Sequence, residues 1–252
     1  VADPKEMSMK LSPRTVTATA ATALALVLVI GGCSGNSNGG KPPATTATTS
    51  SREAATLLKQ AADAMAKVTG MHVTVTVQGD VPNLRVTKLE GDISSTPQTV
   101  ATGNASLIVG KTAQQAKFVY VDGHLYSDLG QPGTYTDFGN GASIYNVSVL
   151  LDPNKGLANV LAKLQGGSVA GTEQVSGVAT TKISGNSSAD DIATLAGSKL
   201  TAESVTTVPT TVWIAADGSA HLVQLQIRPT NDTSVTLTMS DWGKTVTATK
   251  PS

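Results

Sequence analysis

Few side chains in this sequence keep company that could make or break a bond. The three histidines, His72, His124 and His221, fall in separate alternating stretches, two of them next to Asp-Gly turns. None has a Cys, Asp or Glu at metal-ligand spacing, and exposed strand positions account for all three. No Gly-x-Ser-x-Gly elbow occurs, and the glycine-rich pieces GTEQVSG and GSVAG lack both the strand-turn-helix setting and the Lys of a phosphate loop. Asp190-Asp191 opens a short helix, where negative charge favourably opposes the helix dipole. Asn104, Asn146, Asn186 and Asn231 each fit the acceptor tripeptide for N-linked sugar, but turn and strand-edge roles suffice for them. The sequence points to no catalytic residue, no metal ligand and no cofactor, and the chain is not expected to be an enzyme. Cys33 is different. It is the only cysteine, and a thiolate is the side-chain nucleophile that can displace a glycerol-linked leaving group from a phospholipid.

The setting of Cys33 supports that chemistry. Lys10 and Arg14 precede an apolar run of 13 residues, Ala18 to Ile30, which leads into Ile30-Gly31-Gly32-Cys33. A branched residue followed by two small ones and a cysteine resembles the bacterial lipobox. Residues 1–32 therefore read as a lipoprotein signal peptide, too short to stay as a membrane span, which takes about 17–25 residues. Residues 1–8 precede Met9-Lys10, and the sequence leaves the start of translation open among Val1, Met7 and Met9. One acyl chain binds a bilayer only marginally, whereas the two or three on a lipidated cysteine hold firmly. The expected location is the cell membrane, lipid-anchored and facing the periplasm or cell envelope. With its one thiol acylated, the chain forms no disulfide and must be stable through its core alone.

Beyond residue 32 lie 220 residues, with 15 basic against 16 acidic side chains. That near-balance leaves no footprint for nucleic acid. Charged residues make up 14% and aromatics 3% of the chain, so the interior must be lined by aliphatic side chains. A smooth apolar cavity would show this bias, and so would a GC-rich genome. Residues 33–51, the cysteine and SGNSNGGKPPATTATTSS, hold no apolar side chain larger than alanine after Cys33 apart from Pro42 and Pro43 and read as a flexible tether, with Thr45 to Ser51 open to O-linked sugar. Residues 52–252 are expected to form a single domain.

The elements of that domain follow from periodicity. Ser50 and Glu53 suggest a capping box before a helix over 53–69, with a stripe of Leu57, Leu58, Ala61, Met65 and Val68 and a closing Gly70. A second helix is predicted over 153–165, with Pro153 in its first turn. A third is predicted from Ala189 to Ala196, capped by Ser188 and ended by Gly197. Elsewhere the period is two, as in Met71/Val73/Val75/Val77 and Val235/Leu237/Met239. Asp122-Gly123 and Asp217-Gly218 mark hairpins, so the sheet is antiparallel.

Nine or ten strands and three helices imply an α+β fold in which a curved antiparallel half-barrel takes helices on its concave face and encloses an apolar cavity. Gly79, Gly91 and Gly103 would permit the bending. Strand parity turns Val73, Val75 and Val77 inward, along with Leu84 and Val86, Ala105, Leu107 and Val109. It does the same for Val223, Leu225 and Ile227, and for Val235, Leu237 and Met239. Leu58, Met65, Leu161 and Leu164 oppose them from helices. All are lipid-cavity candidates, about half of them expected to touch ligand. Ala105 either leaves room for a ligand or marks the close approach of a helix.

The segments DFGNGASIYNVSVLLDPNKGLANVLAKL (137–164), VPTTVWIAADG (208–218) and MSDWGKTVTATKP (239–251) resemble the mycobacterial lipoprotein family of LppX, LprA, LprF and LprG. GDVPNLRVTKLEGDIS (79–94) and KFVYVDGHLYSDLG (117–130) extend the likeness over nearly the whole domain. The resemblance implies a LolA/LolB-like carrier fold and a cargo of acylated glycolipids or lipoglycans, such as phosphatidylinositol mannosides, lipomannan and lipoarabinomannan, or triacylglycerol. It also implies a lipid exporter in the inner membrane and host Toll-like receptor 2 as partners of a monomeric, membrane-anchored protein. Two other readings remain: an adhesin or accessory lipoprotein with a solid core acting by protein binding, and an envelope hydrolase, which the scatter of the histidines opposes.

Overall fold

The structure, a computed structural model, describes residues 45–252. Cys33, the signal peptide 1–32 and residues 34–44 of the expected tether lie outside the described residues. No helix among the described residues is long and apolar enough to cross a membrane.

Eleven strands form one antiparallel sheet made of two meanders. The first is β1 (Gly70–Gln78), β2 (Val86–Ser94), β3 (Val100–Val109), β4 (Thr112–Val121), β5 (His124–Ser127) and β6 (Thr136–Asn140). The second is β7 (Gln165–Val175), β8 (Val178–Ser188), β9 (Thr207–Ala215), β10 (Leu222–Ile227) and β11 (Ser234–Ser240). They join where β1 pairs with β11, so the strand order is β6-β5-β4-β3-β2-β1-β11-β10-β9-β8-β7. The edges β6 and β7 do not meet, and the sheet is an open, curved half-barrel of α+β class. Both Asp-Gly pairs turn hairpins. Asp122 and Gly123 take positive φ between β4 and β5, and Gly218 does so between β9 and β10.

Helices cover the second meander. α1 (Thr45–Met65) packs on β7 and on α2 (Leu157–Ala162), while α3 (Ala189–Ala196) packs on β8 and β9. Ala54, Leu58, Ala61, Ala62 and Met65 give α1 a narrow buried stripe of mostly small residues, which lets the helix approach the strands closely. α1 begins well before the predicted residue 53 and takes in the last residues of the expected tether. Ser50 caps nothing. It extends the stripe one turn toward the N-terminus, and its hydroxyl donates to the Val169 carbonyl on β7 at 3.2 Å.

The predicted second helix is also divided. A 3-10 turn over Val147–Leu151 precedes a tight Asp152–Gly156 turn, in which the Asp152 carboxylate accepts the Asn154 N–H at 2.8 Å, and only then does α2 begin. Gly156 permits this, since a Cβ there would collide with the Val149 carbonyl oxygen. α3 matches its prediction: the Ser188 hydroxyl accepts the N–H groups of Asp190 and Asp191, and Gly197 closes the helix at φ 72°.

Candidate functional site

The first meander has no α-helix of its own, and a hollow lies there. Its floor consists of cross-strand rows. One row runs Met71, Ile93, Ala101, Tyr120, Leu125; the next runs Val73, Gly91, Gly103, Phe118, Ser127; a third runs Val75, Leu89, Ala105, Ala116. Four central positions, Gly91, Gly103, Ala105 and Ala116, carry a methyl group or less, so the floor is sunken where flanking side chains are large. The Phe118 ring lies over the glycines: a Cβ on Gly103 would stand 2.9 Å from Phe118 Cε1, and one on Gly91 3.3 Å from Phe118 Cζ.

The roof is the uncharged run FGNGASIYNVSVLL, residues 138–151, which contributes Phe138, Ile144, Tyr145, Val147 and Leu150 to the lining. Tyr145 fixes this roof to the helical half. Its hydroxyl donates to the Leu195 carbonyl in the last turn of α3 at 2.9 Å, and burial pushes its pKa well above the ordinary tyrosine range. Gly197 makes room for that ring, since a Cβ there would come 2.9 Å from Tyr145 Cδ2. The hollow is open on one side and measures about 290 Å³, and its walls are almost wholly apolar. Phe138 and Ile144, 44% and 54% exposed, stand at its mouth.

Of the residues expected inward, Val73, Val86, Ala105 and Leu107 line this hollow. No α-helix residue is among the lining, so the close helix approach considered for Ala105 does not occur there. Val75, Val77 and Leu84 are half-buried against the core. Met65, Leu225, Ile227, Val235, Leu237 and Met239 are buried core residues that do not line the hollow. A bulge between Leu222 and Gln224 shifts the register of β10, so Leu222 rather than Val223 joins Leu225 and Ile227 in the main core, although Val223 is itself buried. Val109 departs from the inward set: it is exposed at the tip of the β3–β4 hairpin. Leu58, Leu161 and Leu164 flank a separate groove between α1 and α2, about 470 Å³, which Lys59 and Asp63 make partly polar.

The sequence reading missed the roof and most of the floor. Ala116 and Phe118 follow the same period-two signal on β4 that marked β1 and β3. Phe138, Ile144, Tyr145, Val147 and Leu150 have no simple period, and their signal is a long uncharged stretch rich in large apolar residues.

The histidines occupy different surroundings. His72 is half-buried rather than exposed. Its Nδ1 lies 2.7 Å from Asp92 Oδ1 across β1 and β2, and Lys244 Nζ lies 2.9 Å from the same oxygen. Burial pushes the Asp92 carboxyl up, and the hydrogen bonds from Lys244 and His72 bring it below the ordinary aspartate value. His124 pairs with Asp137 at 3.1 Å, and His221 stacks on Trp242 with centroids 4.7 Å apart. Among the described residues no three His, Cys, Asp or Glu side chains are grouped as a metal site.

The chain has clear relatives. The family model described as LppX_LprAFG lipoprotein matches residues 53–248. Lipoprotein LprA of Mycobacterium tuberculosis is 75% identical over 243 residues, 96% of this chain and 100% of that one. The lipoarabinomannan carrier protein LprG of Mycobacterium leprae is 38% identical over 239 residues, 94% of this chain and 96% of that one. Among solved structures, LprF from Mycobacterium bovis superposes with a TM-score of 0.71 at 27% identity, covering 80% of this chain and 98% of its own. LppX of Mycobacterium tuberculosis superposes with a TM-score of 0.60 at 25% identity, covering 78% and 98%.

Proposed function

We propose that this chain, which belongs to the LppX_LprAFG lipoprotein family, is a non-enzymatic carrier that takes an acyl chain of a glycolipid into the hollow beneath residues 138–150 and moves or presents it at the mycobacterial cell envelope. The observation that carries this reading is an almost wholly apolar hollow with its mouth open, built over a floor of glycine and alanine. A folded domain gains nothing by leaving such a space unfilled, since its walls forgo dispersion contacts on one side.

No bond need be made or broken in such a task. A chain of about 16 carbons gains on the order of 10 kcal/mol by leaving water, so a protein that shields it removes the main barrier to its passage between membranes. A hollow of about 290 Å³ is at the lower end of ordinary ligand sites, roughly 300–1,000 Å³. As shaped, it takes a stretch of one chain and leaves the polar head outside.

The relative named a lipoarabinomannan carrier, at 38% identity over nearly the full length, favours acylated glycolipids and lipoglycans as cargo, with triacylglycerol, which shares only their acyl chains, as the alternative. In this reading Cys33 carries the diacylglyceryl anchor, the monomer stays on the envelope side of the cell membrane, an inner-membrane exporter hands over the lipid, and the acylated N-terminus is the part that Toll-like receptor 2 detects. The test is to express the chain in a mycobacterial host, purify it, extract with organic solvent and identify the non-covalently held lipid by mass spectrometry. Stoichiometric glycolipid or triacylglycerol is the expected result. An extract without lipid overturns the proposal.

A further inference from the structure

The large apolar side chains left in water are not scattered. Phe138 and Ile144 both line the hollow and both stand exposed at its mouth, whereas the comparably exposed Val109, at 45%, lies on the β3–β4 hairpin tip and is no part of its lining. The neighbour of Ile144 fixes this arrangement: Tyr145 is buried with its hydroxyl on Leu195, and the backbone leaves Ile144 on the water side.

The run that bears both residues, Phe138 to Leu151, has no Asp, Glu, Lys, Arg or His. Three of its polar side chains are used locally, Asn140 accepting the Ala142 N–H and Asn146 accepting from the N–H and hydroxyl of Ser148. Such a surface can leave water without stripping an ion of its hydration, which is the dominant penalty for burying polar protein.

We propose that the Phe138–Ile144 rim docks on the surface of a lipid bilayer, seating the mouth of the hollow at the boundary of headgroups and acyl chains so that a chain passes from membrane to cavity without crossing water. The proposal deepens the carrier reading and rests on it. Two observations select a bilayer as the occupant. The rim is apolar and uncharged, which suits the interfacial layer of neutral lipids and needs no basic patch. The expected anchor is also close in chain length. Eleven residues separate Cys33 from Thr45, the first residue of α1, a reach of about 40 Å at full extension. A compact unit of this size is itself about 40 Å across, so a chain anchored at Cys33 can turn any face to its own membrane.

The test uses the full acylated chain reconstituted through its own anchor into phosphatidylcholine vesicles whose acyl chains carry bromine near the headgroup. Three variants, Phe138→Trp, Ile144→Trp and Val109→Trp, are compared with the parent, whose Trp213 and Trp242 supply a common background. Quenching beyond the parent is expected at 138 and 144 and not at 109, unchanged by added salt or anionic lipid. Absence of quenching at 138 and 144, equal quenching at all three, or quenching only on anionic vesicles overturns the proposal. As a second readout, the Phe138→Ser, Ile144→Ser double variant should draw labelled lipid from vesicles about tenfold more slowly, the loss of roughly 1.4 kcal/mol of apolar burial. An unchanged rate also counts against docking. Bound lipid without quenching defeats docking alone; quenching without bound lipid leaves docking standing and defeats the carrier reading.

Discussion

Replacing Ala105 by Trp should close the hollow while leaving the domain folded. Ala105 sits in the sunken floor between Leu89 and Ala116, facing space rather than packed side chains. A hollow of about 290 Å³, at about 30 Å³ for each group the size of a water, holds roughly ten methylenes. Their transfer from water is worth about 0.8 kcal/mol each, about 8 kcal/mol together. An indole that takes even half the space forfeits about 4 kcal/mol, close to a thousandfold in affinity. Because the ring fills existing room, its effect on folding should fall below the roughly 1–3 kcal/mol of overpacking a dense core. The assay is equilibrium titration with a fluorescent fatty-acyl probe, alongside urea unfolding of the same preparations. Ala55→Trp, in the α1–α2 groove, serves as a control that should bind as the parent does. If the Ala105→Trp chain unfolds at the parent's midpoint and still binds the probe as tightly, the hollow is not where the acyl chain goes.

Other expectations follow from particular contacts. Tyr145→Phe strips the donor from the buried Leu195 carbonyl and should lower stability by about 1–2 kcal/mol, measured by urea unfolding. Gly103→Ala places a methyl group against the Glu90 carbonyl oxygen, 2.7 Å from Gly91 Cα and 2.9 Å from Phe118. With backbone on one side, the strands must shift, and a loss of about 1–3 kcal/mol is expected by the same method. The buried Asp128 carboxylate accepts the N–H groups of Gly133 and Lys117 at 2.9 and 2.6 Å, which hold its pKa below the ordinary value of 3.8. A depressed folded pKa contributes stability that is present above the unfolded value and lost as pH falls through the folded one. Asp128→Asn should therefore flatten the fall in stability below about pH 4 in acid titrations of the unfolding midpoint.

Strand parity carried most of the architecture because alternating burial is a local signal: β1 and β11 read plainly as Val73, Val75, Val77 opposite Met239, Leu237, Val235. It failed where the backbone breaks the alternation. The bulge before Gln224 exchanged Leu222 for Val223 in the core, a slip that no composition rule foretells. Helix ends were obscured by tertiary contacts, since Ser50 reads as a cap until Val169 is found to take its hydroxyl. Pro153 likewise reads as the first turn of a helix until the Asp152–Gly156 turn is seen to close first. The hollow itself was legible only in part. Ala105 stood out as a small residue among large ones, but its partner Ala116 and the glycines under Phe118 gain meaning only when β2, β3 and β4 lie side by side. A cavity is a property of what several strands leave vacant between them, and one strand alone does not spell it.

The most direct measurement is to find where an acyl tail sits. A lipid with a diazirine at the chain end, mixed with the purified full chain and photolysed, should leave its adducts on peptides from β2 to β4 and on residues 138–150, with few on the α1–α2 groove. Adducts confined to that groove, or spread evenly over the surface, would contradict a carrier that works through the roofed half of its sheet.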